Sequence, residues 1–275
     1  MNSRQSRSAV KLTVLSAVLV ATMLAATQAR AHATPPEAQQ PTPPEVQQAI
    51  PPEVQQANRK LVEYQTKDAR AALEPVVGKA VADGAVAVAL GRVLEQEKKY
   101  DEAVKVLGKA AELRPADPAP QIFLGETYVH AKRYGDAEKA FGKAIQLAQA
   151  AVEKDATDAA AWYCLGVAEM RLRQYDKAFD NLTKAKNAGF DSTLVLFQQG
   201  ATRVFQSKWH EAVELLTRAL EGNSGIAYAY YYRGLAQDKL GKKDQLVLDM
   251  DRFLKLAPQA PEADKAQAVV KAAKR

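Results

Sequence analysis

Few side chains in this sequence stand where they could do chemistry together. His130 and His210 lie far apart in the chain, and neither has a partner at metal-ligand spacing. Cys164 is the single cysteine, so no intrachain disulfide can form. No base lies near it in sequence to activate the thiol, and beside Trp162 it reads as a small buried apolar residue. Asp249 and Asp251 are two positions apart and point to different sides of a helix, so they cannot work as a general acid–base couple. The chain has no glycine-rich phosphate loop, no nucleophile elbow and no HExxH. An enzyme is therefore not expected, and neither is a metal or a cofactor.

The chemistry that remains is recognition by contact. Tyr163, Phe197 and Tyr231 recur at one constant interval, with Tyr228 just before the last of them. Aromatic rings are good anchors for a partner, because they bury much area at small entropy cost. Nearer the N-terminus the corresponding surface carries Ile122, with Arg92, Glu126 and His130 able to orient a ligand by charge or hydrogen bonds. Val167, Met170 and Val204 complete the candidate partner-binding set. The expected ligand is an extended or helical protein segment with apolar anchors and some charge at one end.

The spacing comes from the elements that must position these residues. Trp162 to Ala185 (WYCLGVAEMRLRQYDKAFDNLTKA) reads as two short helices joined by a turn at Arg173 to Tyr175. Gly91, Gly125, Gly166, Gly200 and Gly234 recur at intervals of 34, 41, 34 and 34. Ala103, Ala137, Ala178 and Ala212 repeat the first three intervals. So do Tyr100, Tyr134, Tyr175 and Trp209, and also Leu107, Phe141, Leu182 and Leu216. The pattern W-x2-L-G…Y…A-x3-L-x2-A resembles the tetratricopeptide repeat, a helix–turn–helix unit of about 34 residues. The resemblance covers about residues 57–260. It implies an all-α fold: a right-handed superhelical solenoid of antiparallel helix pairs, closed by a C-terminal capping helix.

Residues 57–83 form a degenerate first repeat, with Pro75 kinking or restarting its second helix. Five repeats follow at 84–117, 118–151, 159–192, 193–226 and 227–260. The motif glycines and alanines sit where paired helices cross closely. The fifth repeat departs most, with Leu246 where earlier repeats have alanine. Seven extra residues near Val152 to Asp158 account for the single longer interval. Seven residues are close to two helical turns, so an apolar stripe stays in phase and one long helix is expected from Asp136 to about Lys154. Residues 261–275 read as the capping helix, starting at Pro261.

In the repeat family, the candidate surface lines the concave groove in which partner segments bind. Carboxylate-clamp members place Lys, Asn and Arg there. Here Val88, Ile122, Tyr163, Phe197 and Tyr231 occupy the first of those positions, which argues against recognition of that type. The competing expectation is that stacked neighbours bury this face as core.

Residues 1–33 read as an export signal: Arg4, Arg7 and Lys11, then the uncharged run Leu12 to Ala26, then A-x-A sites at Ala29/Ala31 or Ala31/Ala33. Residues 34–56 read as a disordered Pro/Gln-rich tether, with PPEAQQ at Pro35 and PPEVQQ at Pro43 and Pro51. Four of the 38 Lys and Arg residues, and none of the 32 acids, lie within 1–33, so cleavage lowers the net charge from +6 to +2. That balance is no evidence for nucleic-acid binding, which needs a concentrated basic face, and nucleic acid is not an expected partner.

The expected function is a non-enzymatic protein–protein interaction scaffold or adaptor of the cell envelope, periplasmic or secreted, holding a protein or peptide partner in the groove. Membrane contact is expected only if the leader is retained. The alternatives are a self-associating spacer tethered at a membrane and a regulatory subunit of an envelope enzyme complex.

Overall fold

The structure, a computed structural model, describes residues 50–273. The export signal, the tether as far as residue 49, and Lys274 and Arg275 lie outside the described residues. The described residues form α-helices and one short 3-10 helix, with no strand among them. Helices pair as α1 (Pro52–Val62) with α2 (Thr66–Leu73), α3 (Gly84–Gln96) with α4 (Tyr100–Leu113), and α5 (Ala119–His130) with α6 (Tyr134–Lys154). The series continues as α7 (Ala159–Arg171) with α8 (Tyr175–Asn187), α9 (Ser192–Phe205) with α10 (Trp209–Gly222), and α11 (Ala227–Lys239) with α12 (Lys243–Leu256). A last helix, α13 (Ala263–Ala273), packs on α12.

Helical structure begins at Pro52, ahead of the expected start near Ala57, so the last PPEVQQ unit belongs to α1 and not to the tether. Proline's fixed φ suits the first helical turn, where a missing N–H costs no hydrogen bond. Val54, Ala57, Asn58 and Leu61 then fall on one face and are buried. The composition of the Pro/Gln repeat hid this apolar period. Pro75 lies beyond the end of α2, and the chain resumes in the 3-10 helix Val77–Val81. The capping helix starts at Ala263, two residues after Pro261.

The first helix of each pair touches the first helix of the next, and the second helices pack outside them. This arrangement sets burial. Second helices bury one stripe, such as Ala178, Leu182 and Ala185 in α8. First helices after α1 are enclosed on most sides. In α7, Ala159, Ala161 and the run Tyr163 to Arg171 are all buried.

Local sequence fixes the joints. A Cβ on Gly166 would stand 2.8 Å from Leu182 Cγ and 2.9 Å from the Ala178 backbone oxygen, so the two helices cross at backbone distance there. Each turn within a pair carries one residue with left-handed φ: Tyr64 (58°), Lys98 (62°), Lys132 (60°), Arg173 (65°), Ser207 (60°) and Gly241 (75°). In the fourth pair, for example, the Arg173 amide donates to the Met170 carbonyl at 3.0 Å and the Gln174 amide to the Glu169 carbonyl at 2.9 Å, which is the Schellman arrangement. Asp83, Asp158 and Asp191 cap α3, α7 and α9, each accepting from two backbone amides.

α6 is the expected long helix, 21 residues against 14 in α4 and α10. Ala148 and Val152 carry its buried stripe through the extra turns, and the Trp162 indole donates to the Ala156 carbonyl at 2.8 Å beyond its end.

Candidate functional site

The candidate residues come from the first helices and turn toward the inner side of the array, where repeats distant in sequence meet. That side is closed. Tyr163, Phe197 and Tyr231 are 0%, 1% and 1% exposed, and Ile122, Val167, Met170, Val204 and Tyr228 are buried with them. The expectation that these rings line an open groove as rungs is corrected. The ring stacked on Tyr163 is Phe190, with centroids 4.2 Å apart, and Tyr231 lies against Tyr228, Tyr232 and Phe253. The face has no free width, because the first helices are enclosed by their own partners, by neighbouring pairs and by each other.

The charged candidates are buried too, and they pair with one another. The His130 Nδ1 is an ion-pair partner of Glu95, and Glu126 accepts from the Arg171 Nε. Arg92 donates to Asn58, which stands one repeat earlier in the same column, and its guanidinium lies 4.8 Å from the centre of the Phe123 ring. Burial pushes Glu126 up to about 7 against the pull of Arg171 and His130. Burial also draws Arg92 down to about 9. For His130, burial works against the charge, but Glu95, Glu126 and Glu262 outweigh it and hold the imidazole above its ordinary value. Hydrogen-bonding capacity is left over: Arg171 Nη1 and Nη2, Arg92 Nε and Nη2, Glu126 Oε2, His130 Nε2 and Tyr231 Oη have no hydrogen-bond partner.

Sequence reasoning missed three participants. Arg171 was legible, since it occupies the His130 column one repeat later, across the longer interval. Tyr232 follows Tyr231 directly and is fully buried. Glu262, which accepts from the Tyr228 hydroxyl at 2.7 Å, lies in the turn before α13, one repeat period after Tyr228, but no other acid stands in that column to flag it.

Cys164 is buried, and burial raises its thiol well above the ordinary value, so it is an inert core residue. Asp249 is buried and takes a bidentate contact from Arg233 at 2.9 and 2.7 Å. Among the described residues, no helix is long and apolar enough to cross a membrane.

An all-helical array of stacked pairs, with a closely crossed glycine in every pair after the first, defines a repeat solenoid of the protein-interaction class. Tetratricopeptide repeat profiles match residues 55–118, 128–191 and 197–261, and a second such profile matches 94–143. The chain belongs to the tetratricopeptide repeat family. It is similar in fold to a thermophilic TPR protein of Thermus thermophilus, at 17% identity and a TM-score of 0.54, over 70% of this chain and 99% of that one. It is similar also to a chain of the APC/C hetero-tetramer Cut9–Hcn1, at 14% identity and a TM-score of 0.54, over 81% of this chain and 42% of that one. YrrB, described as a TPR protein with an unusual peptide-binding site, aligns at 21% identity and a TM-score of 0.37, over 72% of this chain and 97% of that one. No curated protein sequence matches the chain.

Proposed function

We propose that this chain is a non-enzymatic scaffold of the cell envelope that holds a segment of a partner protein against its inner face. One observation carries the reading: the unspent hydrogen-bonding atoms of Arg92, Glu126 and Arg171 lie on the same face as Tyr163, Phe197 and Tyr231. A purely structural core gains nothing from buried guanidinium N–H groups left without an acceptor, which cost free energy. Once the closed inner face opens, a partner's carbonyl and carboxylate oxygens would satisfy them, while its apolar side chains pack on the rings of Tyr163, Phe197 and Tyr231 that are buried in the closed array.

The test separates binding from folding. The pair Arg171→Met with Glu126→Leu removes the polar atoms and keeps the bulk, a change that is commonly neutral or stabilising. The denaturation midpoint should hold or rise. Capture of short peptides bearing spaced apolar anchors and a terminal carboxylate should fall at least tenfold, about 1.4 kcal/mol. Undiminished capture by the folded double variant would place the binding surface elsewhere.

A further inference from the structure

The first repeat and the last repeat of the array touch. The Tyr64 ring, in the turn between α1 and α2, lies 5.9 Å from the Tyr228 ring of α11. The Glu63 side chain packs against Gly225, where an added Cβ would stand 3.1 Å from Glu63 Cγ. Tyr228 in turn donates to Glu262 at 2.7 Å, so the turn before the capping helix joins the same junction. A solenoid gains stability from neighbouring repeats alone, and contact between its ends is an additional, separable interaction.

We infer that Glu63, Tyr64, Tyr228 and Glu262 form a clasp that holds the two ends of the array together over the inner face, and that its release admits the partner. The inference rests on the inner-face reading of function, but the clasp itself is read out without any partner.

The junction is aromatic at its centre, where the Tyr228 ring meets Tyr64 and Phe253, and it is hydrogen-bonded through the Tyr228 hydroxyl to Glu262. Its charged and titratable groups come from every element packed there. Glu63 and Tyr64 belong to the first repeat, Arg92 and Glu95 to α3 and Tyr100 to α4. Glu126 and His130 come from α5, Arg171 from α7, where it pairs with Glu126, Tyr228, Tyr231 and Tyr232 from α11, and Glu262 from the turn before α13. Burial raises Glu262, against the hydrogen bond from Tyr228, and burial raises Glu126 as well. His130 is raised by its carboxylate neighbours in spite of burial.

The three shifts act in one direction. Each group holds its proton more tightly in the closed array than it would in water. The stabilisation is complete below the ordinary carboxylate and imidazole values of 4.5 and 6.5, and it is lost as pH rises through the raised ones, about 7 for Glu126. Opening therefore releases protons. Mild acid favours the closed form and mild alkali the open one, by up to about tenfold per pH unit for each proton released.

The test uses the full mature chain with spin labels at Lys67→Cys and Lys265→Cys, both exposed positions flanking the junction; buried Cys164 stays unlabelled. Electron–electron distance measurements should give one narrow distance near pH 5.5. A second, longer population should grow at least threefold by about pH 8.5, with helicity unchanged. Glu262→Gln, which keeps an acceptor for Tyr228 and cannot ionise, should reduce that growth. Glu63→Cys with Gly225→Cys, oxidised to a disulfide, should abolish it. An identical distance distribution at both pH values, or an alkaline response untouched by Glu262→Gln, would overturn the clasp. Capture of the anchor-bearing peptides by the oxidised chain, compared with the same chain reduced, distinguishes the two readings. If the distances respond but the locked chain captures fully, the clasp does not gate the partner, and partners bind outside the inner face.

Discussion

At the scale of single residues, the repeat is held by backbone constraints that side-chain chemistry merely decorates. A Cβ on Gly166 would stand 2.9 and 3.1 Å from backbone atoms of α8, as well as close to the Leu182 side chain, so no rotamer change can make room for a larger residue. Gly166→Leu should lower stability by at least about 1–3 kcal/mol. Gly108→Leu, where nothing stands within 4 Å of an added Cβ, should hold or raise the urea midpoint. The turn column makes an opposite prediction. Lys98 and Arg173 adopt left-handed φ of 62° and 65°, a conformation that glycine takes without steric cost and that Gly241 already occupies at 75°. Lys98→Gly and Arg173→Gly should each stabilise by up to about 1 kcal/mol, and Gly241→Val should destabilise by about 1–2 kcal/mol. Falling midpoints for both glycine variants would show that these turns are held by side-chain contacts instead. This column recurs with the repeat, yet Tyr, Lys, Arg and Ser carry no common chemical signature, so nothing in the residue types marks it.

At the scale of elements, first and second helices follow different rules. A second helix meets solvent on one side, and its stripe of Ala, Leu and Ala positions was legible as amphipathic periodicity. A first helix is enclosed, and apolar residues on two faces read equally well as core plus groove or as core alone. The structure decides for core at Tyr163, Phe197 and Tyr231. Replacing all three by alanine should therefore unfold the chain, since burial of each ring contributes about 3–5 kcal/mol. Loss of the helical circular-dichroism signal is the expected result. Alanine at exposed Lys139 and Lys177 should move the midpoint by less than about 0.5 kcal/mol. A folded triple variant would mean that the inner face spends much of its time open. The candidate polar residues were found by their position on that same face, but their pairing was not. Glu126 meets Arg171 of the following repeat because α5 and α7 lie side by side.

At the scale of the whole molecule, the array begins one helix turn earlier than its composition suggests and closes on itself through Tyr64 and Tyr228. Residues ahead of 50 carry the expectation of export. Intact-mass measurement of exported protein should give a chain starting at His32 or Thr34, as the A-x-A sites require. An exported product that retains Met1 would point to an uncleaved anchor and move the scaffold to the membrane surface. Either result leaves the pH response of the clasp unaffected, because its groups all lie between Glu63 and Glu262.

The sequence by itself determined what depends on nearest neighbours: the constant repeat period, the one longer interval absorbed by an extended α6, the glycine crossings and the capping helix. Each follows from packing one helix on the next, and that packing is written in spacings of three and four along a helix and in the period of the repeat. Only the tertiary structure decided whether the inner face is open. Curvature accumulates from small rotations at every repeat, and no local pattern records the sum. Whether Tyr64 reaches Tyr228, and Glu262 joins them, depends on that sum.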